Sequence, residues 1–511
     1  MAYILKHRFP ILLMAFLFMV FACKEDKKEG KDEKQHPKPN VVLIYADDLG
    51  FGDLSSYGAT ELPTPNIDRI ANEGIRFTNG YATSATCTPS RYALLAGEYP
   101  WRKKAAILRG NAPLIFDVSK PTMATMFQRA GYKTAVIGKW HLGLGEGGEQ
   151  MDWNLPISPS PNDVGFDYSF ILASTNDRVP SVYVENDKVV GLDPQDPIQV
   201  SYKENFEGEP TGSENPEMLK LHPSHGHDMS VHNGISRIGY MKGGKSALWI
   251  DEDMADTVLV RSQKFITENK DKPFFLFYSL HQPHVPRTPH SRFVGTSGMG
   301  PRGDAILEAD WCVGQLLDTL DSLGLTENTI VVFSSDNGPV LDDGYQDDAN
   351  EKLGDHTPAG RLRGGKYSLF DAGAHVPFMI RWPGTIAPQQ SNALVSQMDL
   401  YGSFAKLVGQ ENSSGDSKDL SGAFLGKSPK GRESLVLEAT GRLCFRKGDW
   451  VLIPPHQGRP KTNKWVNIET GNSDEYQLYN LLEDPSQEHN LATENPGKVQ
   501  EMEKELMALK K

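Results

Sequence analysis

The sequence predicts an α/β fold built on a largely parallel sheet, and three observations carry that expectation. Several short apolar runs are bounded by turn formers and separated by stretches of helical spacing, the pattern of strands buried on both faces. Four of those runs end in charged or polar side chains. The composition is 38% hydrophobic and 23% charged over 511 residues, which allows a sizeable core and excludes a disordered or fibrous chain. A net charge of −13 argues against a nucleic-acid binder, whose contact surface needs a basic balance or stripe.

Taken in order, the first element is not part of that fold. Lys6 and Arg8 precede an apolar run at 11–22 with the shape of an export signal, too short to span a bilayer. The run ends in Val20, Phe21, Ala22 and Cys23, which resembles a bacterial lipobox and implies removal of residues 1–22 and lipidation of Cys23. Residues 23–39 read as a charged, solvated tether. Its Lys24, Glu25 and Asp26 resemble the signal that sends Bacteroidetes lipoproteins to the outer leaflet of the outer membrane. The expectation is a lipid-anchored outer-membrane protein at the cell surface, with a periplasm-facing protein as the alternative.

The four apolar runs follow. VVLIY at 41–45 runs into Asp47 and Asp48, TAVIG at 134–138 into Lys139 and His141, FFLFYSL at 274–280 into His281 and His284, and TIVVFSS at 329–335 into Asp336 and Asn337. Ligands of open α/β sheets bind beyond the carboxyl ends of the strands, so these groups are expected to share one crevice. One such cluster is commonly a turn or a helix cap; four in one chain are harder to assign that way. Helical patterns at 256–268 and 304–323 lie between them, the second closed by Gly324. Asp47, Asp48, Asp336 and Asn337 offer only oxygen donors, which suits Ca²⁺ or Mg²⁺ and fits zinc poorly. Gly50 and Gly52 argue against the bland reading of Asp47 and Asp48 as helix caps.

Residues 87–97 read as a short helix with Thr88 as its N-cap, Pro89 in the first turn and Gly97 as its stop. Cys87 then sits at a helix N-terminus, where backbone N–H groups favour an anion, and Arg91 can point back at the same ligand. By itself such a cysteine is either a nucleophile or a buried thiol.

Cys87, Thr88, Pro89, Ser90 and Arg91 resemble the core signature of the type I, formylglycine-dependent sulfatase family. GKWHLG at 138–143, HQPHVP at 281–286, SSDNGP at 334–339 and RGGKYS at 363–368 follow in that family's order, over roughly residues 40–511. The resemblance implies an alkaline-phosphatase-like core, with a large mixed sheet sandwiched by helices. It also implies a catalytic domain at 40–425 and a C-terminal subdomain at 426–511 with an antiparallel sheet and a terminal helix. A separate maturation enzyme would oxidise Cys87 to formylglycine (3-oxoalanine). Asp47, Asp48, Asp336 and Asn337, with formylglycine-87, would bind one Ca²⁺ in preference to Mg²⁺. Arg91, Lys139 and Lys366 would clamp the sulfate, with His284 as the acid for the departing alcohol and His141 as the base. After RGGKYS, Asp371, Ala372, Gly373, Ala374 and His375 depart from the family's Glu-Gly-Gly-X-Arg, which predicts altered packing around Lys366.

Beyond the core motifs, 376–384 reads as a strand, 396–408 as a helix, 411–432 as an exposed linker, and the C-terminal runs as short strands before a helical tail. Cys312 and Cys444 read as buried thiols, with a disulfide as the alternative. In the long insert between the motif blocks, Arg178 and His227 are suited to sugar hydroxyls, and His281 is a further substrate contact or a structural residue. The His-rich tract at 222–235, whose His225 is a further donor for sugar hydroxyls, reads otherwise as an exposed loop, since its irregular spacing disfavours a second metal site. The stretch at 234–249 and HQPHVPR at 281–287 resemble sulfatases of sulfated polysaccharides, among whose targets are galactose or N-acetylgalactosamine 4-sulfate, carrageenan, ulvan and glycosaminoglycans. The rivals are a phosphonate or phosphate monoester hydrolase using the same aldehyde, and a surface glycan-binding lipoprotein with a dead site.

Overall fold

A computed structural model describes residues 38–510. The expected signal peptide, Cys23 and nearly all of the tether lie outside the described residues. Among the described residues no helix is long and apolar enough to cross a membrane.

Ten strands form the main sheet: β1 (Asn40–Ala46), β2 (Ile75–Phe77), β3 (Lys133–Lys139), β4 (Tyr168–Leu172), β5 (Tyr183–Glu185), β6 (Lys188–Val189), β7 (Phe274–Ser279), β8 (Thr329–Ser335), β9 (Phe378–Arg381) and β10 (Gln389–Ser391). Their spatial order is β10-β2-β9-β8-β1-β7-β3-β4-β5-β6. The four runs expected as strands are the four central neighbours β8, β1, β7 and β3, all parallel. The sheet is mixed because β9 runs antiparallel to both β8 and β2, β5 runs antiparallel to β4, and β6 runs antiparallel to β5.

Alternation along these buried strands feeds two cores, one on each face. Val41, Leu43 and Tyr45 face a cluster with Phe275, Phe277 and Val332, while Val42 and Ile44 face one with Leu276, Tyr278 and Phe333. The first face is covered by α2 (Cys87–Ala96), α3 (Met123–Arg129) and α6 (Asp399–Leu407) through Leu94, Phe127 and Phe404. The second is covered by α1 (Pro65–Asn72), α4 (Met254–Asn269) and α5 (Gly300–Ser322) through Ile70, Leu259 and Leu316.

Residues 411–432 are not an exposed linker. α7 (Ser421–Phe424) sends Phe424 edge-on against Phe77, and Arg432 forks onto the buried Asp399 with Nε and Nη2 at 2.6 Å. The polar composition of this stretch conceals a few anchoring side chains, which suffice to dock it. β11 (Ser434–Ala439), β12 (Arg442–Lys447), β13 (Trp450–Ile453) and β14 (Gln477–Asn480) form the antiparallel C-terminal sheet, closed by α8 (Pro496–Leu509) through Val499, Met502 and Leu506. Cys312 and Cys444 are buried free thiols, so the disulfide alternative is set aside.

Candidate active site

Strand register assembles the site. Ala46 pairs with Ser335, Tyr45 with Ser279, and Ser279 with Gly138, so the residues just beyond four strands arrive at one sheet edge. Loop ties then fix them: the Asp47 N–H donates to the Gln282 carbonyl at 3.0 Å, and the Asp48 N–H donates to Asp336 Oδ1 at 3.2 Å. Asp48, His141 and Tyr367 adopt left-handed φ of 61°, 54° and 71°. Each costs about 1 kcal/mol or more in a non-glycine residue, strain that concentrates where side chains must be aimed.

α2 supplies the first-turn group. It starts at Cys87, with Thr86 in the N-cap position. The sequence predicts Thr88 as the cap; instead the helix begins two residues earlier, and the Thr88 hydroxyl donates to the His141 carbonyl at 2.9 Å. Cys87 is 1% exposed, and burial pushes its thiol up. Arg91, one turn on, places Nε 2.9 Å and Nη2 2.8 Å from Asp336 Oδ2. Its Nη1 donates to Ser279 Oγ at 2.6 Å, and its guanidinium stands 5.2 Å from the centre of the Tyr45 ring.

Cations and carboxylates alternate around Cys87. Lys139 Nζ donates to Asp47 Oδ2 and lies 3.7 Å from Asp336 Oδ2. Lys366 Nζ donates to Asp48 Oδ2 at 2.8 Å and to Asp343 Oδ2 at 2.7 Å. Burial opposes charge on Lys366, but Asp343 and Asp48 hold its pKa well above the usual range. All the cations and carboxylates of this ring are buried.

The residues fit a hard divalent cation. Asp47 Oδ1 and Asn337 Oδ1 are buried without a hydrogen-bond partner. Such orphaned oxygens are costly unless something positive meets them. Burial and the Asp336 carboxylate push the Asp47 pKa well up, a crowding of anions that a cation relieves. Ligand atoms of Asp47, Asp48 and His284 also fall within 4.8 Å of one another.

Both expected proton carriers face this cluster. His284 Nδ1 bonds the Val285 carbonyl at 2.5 Å, leaving Nε2 3.8 Å from Asp48 Oδ2. His141 Nε2 bonds the Leu108 carbonyl at 2.9 Å, and its buried Nδ1 has no partner. Since Leu108 offers only an acceptor, Nε2 carries the hydrogen and Nδ1 is left a free base. Burial, with the neighbouring lysines, lowers both imidazoles well below their ordinary range.

The expected substrate residues divide. Asp177 accepts from His227 Nε2 at 2.9 Å and from Arg178 Nη1 at 2.9 Å, so Arg178 and His227 are held as one unit. That unit feels the site: the Asp177 carboxylate is held well below the usual range by Arg178, His227 and His284, against its burial. His281 is buried, and burial pulls it down to about 4; it joins none of these hydrogen bonds. Sequence reasoning missed Asp177 and Asp343 as partners. Asp177 is flanked by Asn176 and Arg178 in a polar stretch, a signal available but undistinguished, whereas Asp343 sits in an acidic loop with no pattern. The departure at 371–375 packs beneath the Lys366 turn through Ala372 N–H to Arg363 O at 2.9 Å. There His375 Nδ1 meets Asp371 at 2.6 Å, beside Tyr81 and away from the site's cations.

A buried sheet-edge cluster that sets oxygen donors, three cations and two imidazoles around Cys87 has the charge and the proton carriers of a hydrolase of anionic esters. The sulfatase family model matches residues 39–410, and the chain belongs to the sulfatase family. It is 50% identical over 504 residues to an N-acetylgalactosamine-6-O-sulfatase of Bacteroides thetaiotaomicron, with 98% of each chain covered. Human arylsulfatase A is 30% identical over 496 residues, covering 92% of this chain and 86% of that one. A solved Bacteroides thetaiotaomicron structure, described in terms of the metabolism of multiple glycosaminoglycans, matches with a TM-score of 0.91 and 50% identity over 93% of this chain and 100% of that one. A phosphonate monoester hydrolase of Agrobacterium radiobacter, 18% identical with a TM-score of 0.56 over 93% of this chain and 95% of that one, shares the fold.

Proposed function

We propose that this sulfatase removes the 6-sulfate of N-acetylgalactosamine residues in glycosaminoglycan fragments, acting as an exported, lipid-anchored enzyme after conversion of Cys87 to formylglycine. The observation that carries the substrate is the 50% identity over nearly the whole length of a relative named for that activity. The sulfate position therefore differs from the 4-sulfate named among the expected targets.

Formylglycine supplies a hydrated aldehyde whose oxygen is the nucleophile toward sulfur. A cation held by Asp47, Asp48, Asp336 and Asn337, for which Ca²⁺ is the natural choice of an oxygen-only set, supplies charge stabilisation to the sulfate oxygens. Everything else belongs to the chain. Arg91, Lys139 and Lys366 surround position 87 and offset charge on the sulfate as it redistributes. Asp336, bonded to Arg91, stands ready to take a proton from the attacking group. His284 keeps its Nδ1 hydrogen on the Val285 carbonyl, and as the imidazolium, the form that the negative charge of a bound sulfate ester favours, it donates the Nε2 proton to the departing sugar oxygen. His141 Nδ1, the free base, accepts the proton whose removal releases sulfate. Arg178 and His227, clamped by Asp177, offer donors to ring hydroxyls.

Matured protein should be given the 6-sulfate, the 4-sulfate and the 6-phosphate of N-acetylgalactosamine side by side. Release of sulfate from the 6-sulfate alone is expected. Preferred turnover of the 4-sulfate would refute the position, and dominant phosphate release would favour the phosphoester rival.

A further inference from the structure

The hairpin at 462–469 carries Trp465, 58% exposed, into a cavity shared with Asp343, the partner of Lys366. On one side of the indole lies a cavity of about 360 Å³ bounded by His225, Asp343 and Tyr367, the first stacked on Trp465 at 5.5 Å and the second bonded to Lys366. On the other side lies a second cavity of about 420 Å³. It shares Tyr367, Asn463 and Trp465 with the first, and adds Arg442, Arg459 and Lys464.

No carboxylate lines this second cavity. The Arg442 guanidinium is buried, yet it donates only to neutral acceptors: the carbonyls of Ala439, Tyr367 and Thr470, the Thr440 hydroxyl and the Asn472 amide oxygen. Its five N–H groups are all engaged there, and burial and the neighbouring Arg459 pull its pKa down to about 10 against the nearby Glu438 carboxylate, so Arg442 adds positive charge behind the cavity wall and not a free donor. Arg459 and Lys464 are exposed, and Lys464 Nζ stands 4.6 Å from the centre of the Trp465 ring. Three cations thus converge on one concave surface, in a protein of net charge −13, beside an aromatic face able to take the apolar side of a sugar ring.

We propose that this cavity is a second subsite, which receives an anionic group, a carboxylate or a second sulfate, on the sugar joined to the one that loses its sulfate. The proposal deepens the functional reading above and rests on it for the identity of the first sugar. The two cavities share Trp465, so a glycan continuing from the reacting residue passes the indole and presents its next anion to Arg459 and Lys464, with the charge of Arg442 behind them.

The test compares N-acetylgalactosamine 6-sulfate joined to a neutral sugar, to a uronic acid, and to a sulfated sugar. In an Arg459→Ala/Lys464→Ala double variant, kcat/KM should fall about tenfold on an anionic disaccharide relative to the neutral one, and the advantage should shrink at high salt. Which anionic disaccharide responds identifies the anion. An equal change on all three substrates would overturn the proposal. Independently of turnover, a Cys87→Ala protein should bind an unsulfated disaccharide of uronic acid and N-acetylgalactosamine about tenfold more tightly than the same protein carrying the double substitution. Equal binding would overturn the subsite. Failure to desulfate any 6-sulfate would instead refute the functional reading, while this titration still decides the subsite.

Discussion

In the proposed mechanism activity turns on Cys87, and its surroundings say how a substitution there behaves. It is a small, buried side chain, with no hydrogen bond assigned to its sulfur. Cys87→Ala should therefore cost only about 1 kcal/mol of stability while lowering turnover at least 1,000-fold, the size expected when a nucleophile is removed. A urea titration and a sulfate-release assay check the two halves. Asp177 belongs to a different kind of residue, one that acts through others. Replacing it with Asn removes the charge that orients Arg178 and His227 together. KM for the monosaccharide 6-sulfate should rise about tenfold with kcat within about threefold, a loss of about 1.4 kcal/mol in substrate binding. A fall confined to kcat would show that the pair does not touch substrate.

At the scale of elements, the close approach of β3 and β7 depends on Gly138, with φ 111°, where a Cβ would stand 1.8 Å from the Ser279 carbonyl oxygen. Gly138→Ala should push the strand ends apart, cost roughly 3 kcal/mol or more through backbone strain and overlap, and displace Lys139. Thermal unfolding measures it. α5 steadies the His284 loop through Glu308, which accepts from the His290 N–H at 2.9 Å and from Gln282 Nε2 at 3.1 Å. Burial pushes Glu308 up to about 7. A carboxyl raised from its unfolded value near 4.5 binds more protons in the folded state, so its contribution is full below that value and lost as pH climbs to about 7. Glu308→Gln should abolish that decline and leave the variant about 3 kcal/mol more stable than the parent at pH 8.5 relative to the difference at pH 4.5. Denaturant midpoints at the two pH values decide it, and parallel shifts would contradict the assignment.

At these two scales the sequence was unequally legible. The four central strands and their terminal side chains were readable because buried parallel strands are uninterrupted apolar runs, and chemistry collects where such runs stop. The meeting of Asp47, Asp48, Asp336 and Asn337 at one sheet edge was readable from the strand ends, and their oxygen donors are the ground for the cation proposed there. What escaped was whatever depends on contact between distant segments. Asp343 meets Lys366 across a loop, Thr88 turns inward to hold His141, and Phe424 and Arg432 dock a stretch whose composition reads as linker. None of these leaves a periodic trace.

For the whole molecule, two cores on either side of one sheet make the catalytic edge a consequence of global folding, so ligation of a cation there should stabilise the entire unit. Removing divalent cations by chelation should abolish sulfate release and lower the unfolding temperature, and added Ca²⁺ should restore both, by the linkage that favours any state binding a ligand. An unfolding temperature indifferent to chelation, with the ion verified as removed, would contradict the proposed ligand set. The most direct measurement is of residue 87 itself: the mass of the peptide that carries it, taken from protein whose release of sulfate from N-acetylgalactosamine 6-sulfate has been measured in the same preparation. The account predicts that activity rises in proportion to the fraction in which the thiol has become an aldehyde. Full activity in a preparation where every molecule retains the thiol would contradict it.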